Sequence, residues 1–140
     1  MQLPVLNEGN KMDIYEYSLE ELENAPAGEP AIASYVAGTC HAARKKPLSQ
    51  LSAEEIRLLI GQKTGLQYLL PPAVEMVCAE PLTEVTFYEG DLLNVLLRLD
   101  IADWQHNLSE LAAFRGMLAR EREVIAKSED VDKDLLQKYL

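Results

Sequence analysis

LSAEEIRLLIGQ, residues 51–62, is the stretch that most clearly indicates the fold. Ser52 followed by Glu55 matches a capping box, in which each side chain bonds the backbone N–H of the other residue. An apolar face then recurs at three- and four-residue intervals, formed by Ile56, Leu59 and Ile60. Gly61 and Gly65 lie on either side of Gln62, Lys63 and Thr64, and glycine is common just after the last residue of a helix. The stretch therefore predicts an α-helix that ends near residue 62.

Similar helical patterns lie on both sides of this stretch. We predict further helices in SLEELE (18–23), in a segment from Pro30 to about Lys46, in LQYLLPPAVEMVCAE (66–80), in DLLNVLLRL (91–99), from about Leu108 to Lys127, and in DKDLLQKYL (132–140). Residues 1–17 show little periodicity and predict an irregular lead. The fold class is therefore all-α. We expect a single compact domain of about six helices over residues 18–140, with one irregular or strand-like segment near 82–89.

Three details of packing follow from the same patterns. Two adjacent prolines, Pro71 and Pro72, cannot lie deep inside a regular helix, so the helix there should start near Leu70 or be kinked. Phe87 is one of two phenylalanines and is expected to fill the core. The inward-facing positions are expected to be Ile32, Tyr35, Val36, Cys40 and Ala43 in one helix, and Leu69, Val74, Val77 and Cys78 in another.

Charge and hydropathy limit the classes of function. The net charge is −10, and residues 71–100 alone carry six acids against one base. Such a chain is repelled by phosphate backbones, so we expect no nucleic-acid partner, whereas a basic protein partner would be attracted. The sequence has neither an apolar run long enough to span a membrane nor the pattern of a signal peptide. We therefore expect a cytoplasmic protein with no membrane partner, and we favour a monomer.

Cys40 and His41 suggest chemistry because a thiol and an imidazole can form a nucleophile and its base. Adjacent residues on a helix point about 100° apart, however, so these side chains diverge. The spacing of the two cysteines and two histidines matches no metal-ligand motif. We therefore expect no catalytic, metal or cofactor residues and no enzyme activity. A small cytosolic enzyme that uses the thiol of Cys40 or the carboxylates of residues 75–91 remains the alternative.

Two basic features have local interpretations. The cations of Arg44, Lys45 and Lys46 complement a helix C-terminus, or pair with the acidic region of residues 75–91. GQKTG (61–65) has glycines and a Lys-Thr pair but lacks the spacing of a phosphate-binding loop.

EPLTEVTFYEGD, residues 80–91, combines aromatic residues with acids on an irregular segment. That composition is typical of a protein-recognition surface, although acids are also common on any solvated face. The candidate binding residues are Glu80, Glu84, Tyr88, Glu89 and Asp91.

SLEELE followed by TCHAARKKPLSQLSAEEIRLLIGQKTGLQYLLPPAVEMVCAEPLTEVTFYEGDLLNVLLRL resembles the immunity proteins of contact-dependent growth inhibition systems. The resemblance covers residues 18–99 and rests on the order and spacing of its parts. These are Cys-His followed by basic residues and Pro-Leu, the LSAEEIRLLIGQ-to-LLP core, and the Pro-Leu to FYEGDLL turn. It implies a small cytosolic protein that neutralises the toxic C-terminal domain, frequently a nuclease, of a large secreted effector.

Our leading hypothesis is therefore an immunity protein that blocks a cognate toxin domain by stoichiometric binding at the acidic 80–91 segment. Besides the enzyme alternative, a helical scaffold subunit with residues 108–140 as its docking arm fits the same pattern.

Overall fold

The computed structural model describes residues 13–24 and 34–140, and over these ranges the chain is all-α and has no strand. In the described ranges eight α-helices follow one another: α1 (Leu19–Leu22), α2 (Tyr35–Ala43), α3 (Ala53–Gly61), α4 (Leu66–Ala79), α5 (Asp91–Leu97), α6 (Leu108–Arg120), α7 (Arg122–Lys127) and α8 (Lys133–Leu136). Short 3₁₀ helices accompany them at Asp13–Glu16, Leu48–Gln50 and Ile101–Trp104. The predicted fold class is confirmed.

The chain divides into two compact units, Met1–Leu58 and Leu59–Leu140, and the boundary falls inside α3. The division predicted from the sequence, an irregular lead over residues 1–17 and one domain over 18–140, stays a prediction. Of that lead, Asp13–Glu16 form a 3₁₀ helix, and residues 1–12 lie outside the described residues.

In unit 1, α1 is fixed by the predicted capping box. Ser18 Oγ accepts a hydrogen bond from the backbone N–H of Glu21 at 3.1 Å, and the Ser18 N–H donates to Glu21 Oε1 at 3.1 Å. Leu19 and Leu22 are buried below this cap. The chain returns beside α1 after α2, where the Glu20 N–H donates to the Arg44 carbonyl at 3.0 Å. A four-residue helix is thus held by its cap and its neighbours, because it is too short to be stable alone.

The predicted inward face of α2 is only partly correct. Ala43 is buried, but Tyr35 is 65 % exposed and Cys40 is half-buried. The predicted start at Pro30, and Ile32, lie outside the described residues. In the described part Ser34 caps the helix, because its Oγ accepts from the Ala37 N–H at 3.0 Å.

In unit 2, α4 runs from Leu66 through both prolines, so of the two predicted alternatives the start near Leu70 is wrong, and the kink stays a prediction. Proline has no N–H, and Pro71 therefore leaves the carbonyl of Gln67 without its intrahelical donor. The buried side chain of Asn107 supplies that donor, with Nδ2 at 3.0 Å from the Gln67 oxygen. A tertiary hydrogen bond thus replaces one that the helix cannot make.

The core of unit 2 surrounds α5, whose seven residues are all buried, as its continuous apolar sequence predicts. Burial of one leucine side chain contributes about 1.5–3 kcal/mol, so this short helix is held mainly by its surroundings. The predicted inward positions on α4 are buried at Leu69, Val74 and Val77, whereas Cys78 is half-buried.

The predicted helix from Leu108 to Lys127 is divided into α6 and α7 at Glu121, whose φ of −100° and ψ of 19° leave the helical range. Beyond this break Ile125 is buried, so α7 also contributes an apolar side chain to the core. Across the described ranges, no helix combines the length and the apolar character needed to cross a membrane.

Candidate functional site

Residues 80–90 connect α4 to α5 through a hairpin-like turn. The Thr83 N–H donates to the Glu80 carbonyl at 3.0 Å, and the Gly90 N–H donates to the Thr83 carbonyl at 3.2 Å. Glu84 and Glu89 face each other in an isolated antiparallel bridge. We call residues 84–89 the Phe87 turn. The irregular or strand-like segment predicted near 82–89 is therefore confirmed, as a single bridge without a strand.

Asp91 binds the backbone of the Phe87 turn. Its carboxylate accepts three backbone hydrogen bonds, from the N–H groups of Val85 at 2.8 Å, Thr86 at 2.8 Å and Phe87 at 2.9 Å. It also begins α5, where the N-terminal N–H groups favour a negative charge. The residue is 2 % exposed, so the predicted role as a contact for a partner does not fit its position. Asp91 instead holds the backbone of the turn in place.

The two aromatic residues of the turn differ in their exposure. Phe87 is 70 % exposed, so the expectation that it fills the core is wrong. Tyr88 is half-buried, and its hydroxyl accepts a hydrogen bond from Nδ2 of Asn94 at 3.1 Å. The physical reason lies in the backbone, because the hydrogen bonds to Asp91 fix the tip of the turn and leave the Phe87 ring outside. An exposed phenylalanine on a fixed backbone is a suitable anchor for a partner.

The exposed carboxylates of this region lie on the same connecting segment as Phe87. Glu80, Glu84 and Glu89 are all exposed, as a binding role requires. Within the described part of the chain, none of the three forms an ion pair. Their charge is therefore available to a cationic partner, and its effect would be screened by salt.

Two basic residues of unit 1 have ion-pair partners inside that unit. Arg44 pairs with Glu23 at 3.0 Å, and Lys46 pairs with Glu55 at 2.8 Å. Although burial opposes the charge of Glu55, hydrogen bonds from Lys46 and Ser52 outweigh it and lower the pKa of Glu55. Arg44 and Lys46 thus each have a carboxylate partner within unit 1.

Cys40 has little of the character of a nucleophile. It is a free cysteine, and burial raises the pKa of its thiol, which disfavours the reactive thiolate. Cys78 is also free, and its Sγ lies 3.8 Å from the Ala113 carbonyl oxygen. Where the structure describes the chain, no group of three or more His, Cys, Asp or Glu residues could hold a metal ion.

Lys63, the basic residue of GQKTG, is engaged by carboxylates. Its Nζ lies 3.0 Å from Asp103 and 3.3 Å from Asp100, and hydrogen bonds to these two groups raise the pKa of Lys63. With a φ of 55°, the residue forms the tight turn between α3 and α4. The contacts of Lys63 therefore indicate a structural role for the pentapeptide rather than phosphate binding.

Asn94 is the residue that the sequence analysis missed. It is 2 % exposed, and besides Tyr88 its side chain bonds two backbone groups near the C-terminus. Nδ2 donates to the Asp130 carbonyl at 2.8 Å, and Oδ1 accepts from the Asp132 N–H at 2.9 Å. A signal was present, since an amide inside the apolar run DLLNVLL must find hydrogen-bond partners when it is buried. Which partners it finds depends on the tertiary fold.

Comparison with known proteins gives one match. A family model described as CDI immunity proteins matches residues 21–113, more than half of the chain. The match includes the Phe87 turn, Asp91 and Asn94, and it ends inside α6. No curated protein matches the chain, and no solved structure matches it.

Proposed function

Because the chain belongs to the family of CDI immunity proteins, we propose that it binds and neutralises the toxic C-terminal domain of a contact-dependent growth inhibition effector. Inhibition is stoichiometric and non-covalent, and it takes place in the cytoplasm, where such a toxin acts. The observation that carries the proposal beyond the family is the Phe87 turn, an exposed aromatic ring on a backbone fixed by Asp91.

The contact surface follows from what is exposed on this turn. The Phe87 ring is the anchor, and Tyr88 contributes its exposed edge. Glu80, Glu84 and Glu89 add exposed carboxylates on the same connecting segment. A few anchors supply most of the binding energy of an interface, while surrounding charges chiefly increase the association rate and exclude wrong partners. Asp91 belongs to this surface as a positioning residue.

The charge of the chain favours a basic toxin domain. With a net charge of −10, the protein attracts a positively charged partner over distances of about a Debye length, roughly 8–10 Å at physiological salt. A nuclease must attract phosphate and therefore presents a positive groove, which an acidic inhibitor can occupy. We propose a nuclease as the toxin on this complementarity.

The alternative functions fit the structure less well. An enzyme built on Cys40 would need a thiolate, which burial disfavours at this site. A docking arm built from residues 108–140 would need a free apolar face. Instead, Phe114, Ile125 and Tyr139 are buried in the core of unit 2.

The experiment mixes the purified protein with the toxin domain encoded beside it. We expect a stable complex of one protein to one toxin domain and loss of toxicity at equimolar protein. Phe87→Ala should weaken binding by about 30-fold, because a buried interface anchor contributes about 2 kcal/mol. Isothermal titration calorimetry measures the affinity, and growth of cells that express the toxin measures neutralisation.

Leu108→Ala is the matched control, because Leu108 is also an exposed apolar residue of unit 2, at 67 %, but lies outside the turn. Its affinity should remain within about twofold of the parent, as expected for a residue outside the interface. Cys40→Ala should also neutralise the toxin. If the toxin remains active in the presence of excess protein, the proposed function is wrong. If Phe87→Ala and Leu108→Ala bind the toxin equally well, only the assignment of Phe87 as the anchor is wrong.

A further inference from the structure

Residues 128–134 lie against the Phe87 turn through Asn94. The amide nitrogen of Asn94 donates to both the Tyr88 hydroxyl and the Asp130 carbonyl, at 3.1 and 2.8 Å. Its amide oxygen accepts from the N–H of Asp132 at 2.9 Å. Both amide hydrogens and the oxygen are thus used, and the group is buried. One side chain therefore fixes the turn and the C-terminal residues relative to each other.

A second contact joins the same two segments. Val131 is buried, and a Cβ atom built on Gly90 would lie 3.2 Å from its Cγ2 atom. Gly90 also has a φ of 90°, which a residue with a side chain rarely adopts. The absence of a side chain at Gly90 thus lets Val131 approach the base of the turn. The hydrogen bonds of Asn94 on either side of Val131 keep it there.

The exposed side chains of residues 128–134 extend the charge of the turn. Glu129 and Asp130 are exposed, and neither forms an ion pair within the described ranges. Asp132 has a local role, because its carboxylate caps α8 by accepting from the Asp134 N–H. The carboxylates available to a partner are therefore those of Glu84 and Glu89 on the turn and those of Glu129 and Asp130 beside it.

We infer, resting on the proposed function, that the Phe87 turn and residues 128–134 form one docking surface for the toxin domain. The Phe87 ring enters an apolar recess of the toxin, and the carboxylates of both segments face its positive groove. Such an arrangement matches the usual interface, with an apolar anchor inside a polar rim. Residues 128–134 lie outside the family match, which ends at residue 113.

Charge decides between the possible occupants of this surface. A second copy of the chain would bring its own carboxylates against these four, and like charges that face each other at an interface oppose association. A basic protein meets no such penalty. The occupant is therefore the cationic toxin domain, and self-association through this surface is an outcome that the experiment can detect.

The first experiment reverses charge on the added segment. E129K/D130K should slow association with the toxin domain encoded beside the protein by about tenfold at low salt, because the variant removes steering charge next to the anchor. The matched control is E16K/E75K, which changes the net charge equally at two exposed residues outside both segments. The control should slow association by only about twofold. Equal rates for the two variants would overturn the inference.

The second experiment locates the contact without changing charge. Hydrogen exchange is measured on the full-length protein with and without that toxin domain, and peptides covering residues 84–89 and 128–134 should both be protected in the complex. Protection of residues 84–89 alone would overturn the inference and leave the proposed function intact. Neutralisation without protection of either segment would also overturn it, together with the assigned surface. Absence of any complex would refute the proposed function itself.

Self-association has its own readout. If residues 128–134 become protected as the concentration of the free protein rises, the occupant is a second copy, and the inference is wrong. We expect exchange of this segment to be independent of concentration in the absence of toxin.

Discussion

Two aromatic regions of unit 2 use similar residues in opposite ways. Trp104, Phe114 and Tyr139 form a buried cluster, in which Trp104 stacks on Phe114 at 5.2 Å and Tyr139 meets both rings edge-on. In the Phe87 turn, the phenylalanine ring is outside while its backbone is held by a buried carboxylate. The core cluster is stabilised through its side chains, and the turn through its main chain.

The cluster and the Phe87 turn also differ in how their polar atoms are hydrogen-bonded. The Tyr139 hydroxyl donates to the Leu99 carbonyl at 2.6 Å and accepts from Nε1 of Trp104 at 3.0 Å, so both aromatic polar groups are satisfied inside the core. In the turn, the Asp91 carboxylate accepts from three backbone N–H groups and the Tyr88 hydroxyl accepts from Asn94, while the Phe87 ring is exposed. An exposed aromatic ring such as that of Phe87 can contribute to binding, because the remaining desolvation of the ring occurs only when a partner arrives.

The largest effect that separates the two regions is expected from Trp104→Ala. Removing this fully buried ring should lower the free energy of unfolding by about 3–5 kcal/mol, because it deletes apolar contacts and leaves a cavity. Ile101→Ala, at a 43 % exposed position of the same 3₁₀ helix, is the control and should change it by less than about 0.5 kcal/mol. Urea unfolding followed by circular dichroism measures both variants. A cost below 1 kcal/mol for Trp104→Ala would contradict the assigned role of the cluster.

An intermediate effect is expected from Asp91→Asn, which tests how the turn is held. An amide offers one acceptor oxygen where the carboxylate offers two, and its NH₂ group would face backbone donors. The free energy of unfolding should fall by about 1–3 kcal/mol, and affinity for the toxin domain should fall as well, because the anchor loses its fixed position.

Glu89→Gln is the control for Asp91→Asn, since it removes one charge from an exposed residue of the same turn. It should leave the free energy of unfolding nearly unchanged. Fluorescence of Trp104, the single tryptophan, reports unfolding in both variants. If Asp91→Asn unfolds at the urea concentration of the parent, the carboxylate does not hold the turn.

The local rules of sequence analysis predicted the helices well. The capping boxes of Ser18–Glu21 and Ser52–Glu55 both form, because each depends on residues only three positions apart. The sequence also predicts that α5 is buried, because a helix with a continuous apolar sequence has no polar face to expose to solvent. Such features can be read from a sequence because the interacting groups are neighbours along the chain.

The misplaced residues depend on groups that are distant in sequence or on backbone geometry. Asn107 donates a hydrogen bond to the Gln67 carbonyl of α4, which lies 40 positions away in the sequence. The local sequence pattern gives no signal for this contact. Phe87 and Asp91 were assigned by residue type, the aromatic to the core and the acid to the surface. The backbone of the turn reversed both assignments, because three N–H groups pointing at one place require an acceptor inside.

The smallest of these effects is a pH dependence that arises in the cluster alone. Burial raises the pKa of Tyr139 to about 12, with Asp103 and Asp100 adding to the shift and the hydrogen bond from Trp104 opposing it. In the unfolded chain a tyrosine releases its proton near pH 10. Between about pH 10 and 12 the unfolded state therefore binds fewer protons than the folded state, and stability falls as pH rises.

Tyr139→Phe isolates this contribution, because the other tyrosines and the lysines, which also titrate in this pH range, are present in both proteins. The free energy of unfolding of the parent should decrease by about 1–2 kcal/mol more than that of the variant between pH 10 and 12, after allowance for solvent screening. Urea unfolding at several pH values, followed by Trp104 fluorescence, measures the difference. Parallel pH profiles would show that the hydroxyl ionises as readily in the folded protein as in the unfolded chain, which its burial against the Leu99 carbonyl should prevent.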